Sequence, residues 1–205
     1  MNLSEMRTRV RRDLHDEDPA NERWTDDELD RHIERAVREL SLAISLEAKA
    51  VLATSEGSRD ISLASLSDLV AVEAVEYPID NYPPSYVPFS LWADTLTLLV
   101  NDTPPGDESV NIYYGKMHTL DATTSTIPLQ LEELVATGAA AYAALEWASF
   151  ATNRVNVGGQ DVWRQYLAWG QERLAAFSSR RNAVRVRRLY TPATQPVDQS
   201  TVWQS

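Results

Sequence analysis

The spacing of apolar residues changes period twice along these 205 residues, and that change limits what the chain can fold into. Leu3, Met6, Val10 and Leu14 recur at helical spacing, and Leu29, Ile33, Ala36, Val37, Leu40 and Ile44 do so again. Between about residues 55 and 121 the repeat shortens to every second residue: Val70 and Val72, then Leu96, Leu98 and Val100, then Val110, Ile112 and Tyr114. Helical spacing returns at Pro128, a residue tolerated in a first helical turn, and continues through Leu131, Leu134, Val135, Gly138, Tyr142 and Leu145 to about residue 153. A last helix carries Trp163, Tyr166, Leu167, Gly170, Leu174 and Phe177 on one face and is predicted to end at Ser178 and Ser179. The expected fold is α+β, mainly α: a helical bundle with a β-rich insert and an extended C-terminal arm. Its expected parts are an N-terminal helical hairpin (1–54), the insert (55–121), C-terminal helices completing the bundle (122–179) and the arm (180–205).

Local signals sharpen these boundaries. Asn2 with Glu5 three residues later could form a capping box for the first helix, which Asp16, Glu17, Asp18 and Pro19 then terminate. The second start is stronger: Thr25 as N-cap, Glu28 reaching back to it, and Trp24 with Leu29 as a hydrophobic staple. This helix is predicted to run to about residue 47. Asp102, Thr103, Pro104, Pro105, Gly106 and Asp107 suit a hairpin loop, and Pro78, Pro83, Pro84 and Pro88 make residues 77–89 an irregular crossing segment. Gly138 and the alanines at 139, 140, 141, 143 and 144 let a neighbouring helix approach closely, and Gly158 with Gly159 reads as a turn between helices.

Charge narrows the partners. The formal net charge is −11 with a pI near 4.7, which opposes general binding to phosphates. The distribution is uneven: Arg180, Arg181, Arg185, Arg187 and Arg188 stand within nine positions, so residues 180–205 carry +4 and the remainder −15. There is no Cys, which excludes disulfides and thiolate chemistry. Residues 1–12 are polar and Arg-rich, unlike a secretory signal, and no run approaches the roughly 20 apolar residues of a membrane span, so no membrane is expected as a partner.

No arrangement points to catalysis, a cofactor or a metal. His15, His32 and His118 are scattered, and Glu28 with His32 reads as an exposed helix pair. Asp13, Asp16, Glu17 and Asp18 lack the Gly and the terminal Glu of a Ca²⁺ loop and read as a solvated loop. Gly158 and Gly159 lack the Lys of a phosphate cradle, and no Gly-x-Ser-x-Gly elbow is present. Trp24, Trp92, Trp147, Trp163 and Trp169 are expected in the core or at a subunit interface. Trp203 lies in a Pro/Gln-rich tail that cannot bury it locally.

Residues 23–36, Arg-Trp-Thr-Asp-Asp-Glu-Leu-Asp-Arg-His-Ile-Glu-Arg-Ala, resemble the opening of head-to-tail connector (adaptor) proteins of tailed bacteriophages. There, a first helix ends in an acidic loop and a Trp-Ser/Thr-Asp-x-Glu-Leu cap begins the second. The resemblance extends to Val-Asn-Ile-Tyr-Tyr-Gly-Lys-Met-His at 110–118, to Thr126, Ile127 and Pro128, and to the Ala-rich helix after them. It implies a structural subunit, not an enzyme, assembling as a twelve-fold ring beneath the portal protein in the virion neck after synthesis in the host cytoplasm. Such a ring extends the channel for double-stranded DNA and offers a platform to a stopper or tail-completion protein. The β insert and the Pro/Gln tail depart from the smaller adaptors. The arm is expected to dock on the portal or a neighbouring subunit through Arg185, Arg187, Arg188, Tyr190 and Trp203, the alternation around Val184 and Val186 suiting strand addition. The alternative reading is a small helical DNA-packaging accessory or regulatory protein that binds nucleic acid through the same arginines.

Overall fold

The computed structural model describes residues 1–151 and 161–189, the last five by their backbone alone. Four helices are present among these residues: α1 (Leu3–Leu14), α2 (Asp26–Ala43), α3 (Leu129–Ala151) and α4 (Val162–Leu189). At the start of α1 the Asn2 side chain accepts the Glu5 N–H at 3.0 Å while the Glu5 carboxylate accepts the Asn2 N–H at 2.9 Å. His15 ends the helix in the left-handed region, φ 54°. The apolar stripe of α1 (Met6, Val10, Leu14) and that of α2 (Leu29, Ile33, Ala36, Val37, Leu40) are buried in one core together with Leu134, Val135, Ala139, Ala143 and Phe177.

Helix α3 touches α1, α2 and α4 and is buried around most of its girth, which is why its sequence shows no polar face. Its small residues let the neighbours come close. Gly138 lies under the Phe177 ring, and Gly170 of α4 lies against Leu145 and the Ala141 carbonyl; a Cβ at either glycine would stand about 3.0 Å from its nearest neighbour.

Six antiparallel strands lie between α2 and α3: β1 (Leu46–Ala53), β2 (Asp60–Ser62), β3 (Leu69–Glu76), β4 (Phe89–Trp92), β5 (Thr95–Leu98) and β6 (Ser109–Lys116). They form two three-stranded sheets, ordered β1-β6-β3 and β2-β5-β4. Val75, Val110 and Ile112 of the first pack with Ile61, Leu96 and Leu98 of the second, giving the strands a core of their own. The chain is thus a mixed α+β protein with one helical and one β core.

Several expectations are corrected. Helix α2 stops at Ala43 instead of reaching residue 47, and β1 begins at Leu46, inside the stretch assigned to the helical hairpin. Leu46, Ala48, Ala50 and Leu52 do alternate, half-buried against exposed neighbours, but Leu, Ala, Glu and Lys are good helix formers and mask the period. Residues 102–107 are not a hairpin loop: they cross from β5 in one sheet to β6 in the other. Residues 77–88 hold no strand, in keeping with the irregular crossing segment expected there; they join the first sheet at the Glu76–Tyr86 bridge, and the Tyr86 ring meets that of Tyr113 on β6. Trp92 stands 87% exposed, so of the two settings expected for it the core is excluded and the subunit interface stays open. Helix α4 continues past Ser179 to Leu189, so Arg180 to Leu189 is helix and the Val184/Val186 alternation is no strand. Two serines are too weak a stop when Ala, Arg and Leu follow and Val184 packs against the helical core. The Gly158/Gly159 turn and the tail from Tyr190 to Ser205 lie outside the described residues.

Where the strands leave and rejoin the helices, one buried residue spans the junction. The His118 backbone N–H donates to Ser41 Oγ at 2.9 Å, its Nε2 lies 3.1 Å from the Ile44 carbonyl, and its Nδ1 lies 3.0 Å from the Thr126 carbonyl. The end of α2, the exit from β6 and the approach to α3 therefore meet at a single side chain.

Candidate functional site

No group of three His, Asp or Glu side chains comes together to hold a metal among the described residues, and two open hollows beside α2 are lined by charged and apolar side chains. What the geometry offers is surfaces, and three are built by recognisable local rules.

The first surrounds the cap of α2. Thr25 Oγ1 accepts the Glu28 N–H at 3.3 Å and the Glu28 carboxylate accepts the Thr25 N–H at 2.8 Å, holding Glu28 below the usual carboxylate range. Trp24 and Leu29, on either side of the cap, are both buried in the helical core. Sequence reasoning passed over what secures the preceding loop. Arg11 is buried, donating to Asp16 and to Asp26 at 2.9 Å each, and Asp16 also accepts the backbone N–H groups of Arg23 and Trp24. Asp16 thus leaves the solvated acidic loop to which its neighbours Glu17 and Asp18 belong. Arg23 lies 4.4 Å from the Trp147 ring centre and 5.0 Å from that of Tyr166, tying the starts of α2 and α4 to the end of α3. His32, expected on an exposed pair, is 5% exposed and faces Glu146 at 3.3 Å; burial holds its pKa below the ordinary value against the pull of that carboxylate.

The second surface is the end of α4. Arg181 donates to Glu39 at 2.8 Å and Arg180 stands 3.8 Å from Glu133, so these two arginines meet α2 and α3. Arg185, Arg187 and Arg188 follow on the last helical turns, whereas Tyr190 and Trp203 fall outside the described residues.

The third is the β unit. Residues 46–121 hold twelve Asp and Glu against Lys49, Arg59 and Lys116, so they carry −9 of the total −11. Eleven of those twelve acids are exposed. The exception, Glu76, accepts from the Tyr113 hydroxyl and from Asn111, which lowers its own pKa and pushes that of Tyr113 up to about 12. The signal for this segregation was present as a count of charges per segment, but only the segment boundaries make it visible.

A model of the SU10 adaptor protein family matches residues 1–196. The chain belongs to that family. Its elements from α1 to α4 all lie within the matched span, so the cap of α2, the β unit and the cationic helix end are parts of one SU10 adaptor protein and not a fusion. No curated protein matches the chain significantly. Among solved structures, a chain from the "Neck of empty GTA particle computed with C6 symmetry" is similar at 16% identity over 82% of this chain and 88% of that one, with a TM-score of 0.31, too loose a superposition to compare surfaces.

Proposed function

We propose that this SU10 adaptor protein is a structural ring subunit of the neck of a tailed phage, seated beneath the portal, extending the DNA channel and presenting a platform to the stopper or tail-completion protein. The observation that carries the reading is family membership over nearly the whole chain. In this reading the molecule is a mainly α helical bundle with a β-rich insert, made in the host cytoplasm and incorporated as one of twelve copies. It is a joining part and not an enzyme. The segment 180–205 docks on the portal or an adjacent subunit, with Arg185, Arg187, Arg188, Tyr190 and Trp203 as its contacts. An acidic surface suits a channel wall past which duplex DNA moves without sticking. Deleting the gene from its phage should leave DNA-filled heads without tails, restored by the gene supplied in trans; virions of normal form would sink the proposal.

The cationic end of α4 favours one other reading, an accessory protein that binds nucleic acid. The discriminating measurement is affinity of the purified chain for duplex DNA against salt: each phosphate contact steepens the log–log slope by about 0.9. A flat or unmeasurable response is expected.

A further inference from the structure

Six of the nine strongly exposed large apolar side chains among the described residues belong to the β unit. They include Tyr82 at 99%, Trp92 at 87% and Leu91 at 43% exposed. Leu91 and Trp92 lie on β4, an edge strand whose outer side has no strand partner among the described residues, and the turn at Ala93 and Asp94 joins it to β5. A large aromatic at a hairpin tip gains nothing in isolation, and such groups are frequent anchors of protein interfaces.

The setting of this tip selects what can cover it. Asp94 follows Trp92 at the tip, Asp80 precedes Tyr82 in the segment before β4, and the unit that holds them carries −9. Glu47 apart, none of its carboxylates is ion-paired among the described residues, whereas the helices pair their charges repeatedly, Arg7 with Asp30 and Arg38 with Glu34 among them. Of the three cations present, Arg59 is committed to the Val100 and Asn101 carbonyls. A partner must therefore bring positive charge, and nucleic acid is repelled.

The chain itself carries the complementary group. Beyond Arg180 and Arg181, which meet Glu133 and Glu39, the residues Arg185, Arg187 and Arg188 put +3 on the last turns of α4 with no acidic residue from 180 to 189, and Val186 and Leu189 lie among them. Within one molecule the main packing of α4 among the described residues is on α3 and α2. We infer that the exposed β4–β5 hairpin and its acidic surroundings are a docking surface for the arginine-rich end of α4 of a second copy of this chain. The inference rests on the ring reading above and names its lateral contact. Because donor and acceptor are different patches, each joined copy keeps one of each free, which is the head-to-tail geometry that closes rings.

Sedimentation velocity of the full chain at low and high salt tests this. One variant carries Asp80→Asn, Trp92→Ala and Asp94→Asn; the other carries Arg185→Gln, Arg187→Gln and Arg188→Gln; thermal melts confirm that both fold. Wild type should self-associate at low salt and dissociate at high salt, and each variant alone should lose association at least tenfold. An equimolar mixture should form dimers and nothing larger, since only one productive contact per pair remains. Variants that assemble like wild type would overturn the inference and leave the ring reading standing, as would arginine variants that lose only DNA binding. A wild type that stays monomeric at low salt overturns it too, while the reading itself is judged separately by the tailless-head experiment.

Discussion

Asp16 is the residue on which the N-terminal part depends most. It is buried with Arg11 and accepts from two backbone N–H groups as well, so removing the carboxylate leaves Arg11 to Asp26 and Glu22 and orphans the loop that feeds Trp24 into the core. Asp16→Ala should cost about 1–3 kcal/mol for each buried donor left unsatisfied. Thr25→Ala should cost less, about 0.5–2 kcal/mol for a lost N-cap, and Trp24→Ala about 3–5 kcal/mol for a deleted core aromatic; urea denaturation of the three variants checks the order. His32 supplies a pH test. Its folded pKa is held below the ordinary 6.5 by burial, opposed by Glu146 and Glu28 and aided by Arg31 and Arg35. The unfolded chain therefore takes up the proton first. Stability contributed by neutral His32 is complete above about 6.5 and declines as the pH falls toward the folded value. His32→Gln should flatten the fall in unfolding free energy between about pH 7 and pH 5, where histidine titrates; an unchanged slope would mean that the buried imidazole is not its source.

At the level of elements, close packing of α3 on α4 makes a sharp prediction. Gly138→Ala puts a methyl group about 3.0 Å from the Phe177 ring, and overpacking should cost about 1–3 kcal/mol, outweighing the roughly 1 kcal/mol gained in helix propensity. Pairing it with Phe177→Leu should recover part of the loss. Truncation separates two roles of α4: a chain ending after residue 189 should melt like wild type, whereas one ending at 179 loses the Arg181–Glu39 pair and the packing of Val184 and should melt lower. The same elements show where sequence is legible. Starts of α1 and α2 could be read because a capping box is local chemistry within four residues. β6 could be read because Val110, Ile112 and Tyr114 recur at every second position of its sequence, and α3 because small and apolar residues persist through six turns. β1 could not, since an alanine-rich edge strand written in helix-forming residues is a strand only by virtue of its pairing with β6. Nor could the extent of α4, whose last turns are held by Val184 on the distant helical core. The partition of β5 and β6 into different sheets was hidden for a similar reason: loop composition records that a chain turns, not which neighbour it turns toward.

For the whole molecule, acid should act early on the framework. Asp26 is held below the ordinary carboxylate value by hydrogen bonding to Arg11, Glu28 by the Thr25 N–H and Glu76 by the Tyr113 hydroxyl. Groups depressed in the folded state contribute stability that is present above about pH 4–4.5, the unfolded values, and is lost as the pH falls through their lower folded values. Apart from the slope that His32 contributes, melting temperature should hold level down to that range and then drop, while at neutral pH added salt should raise it by screening the repulsion concentrated in residues 46–121. The junction at His118 has a different kind of consequence. Because the carbonyl of Ile44 and the backbone of residue 118 are held within one side chain's reach, the strands between them span a gap of almost no length. To the helices, the whole β unit is a detour: its core is separate, its two ends are already side by side, and a few residues of turn could take its place. A lineage could therefore enlarge, trade or discard this appendage without redesigning the helical frame that carries it.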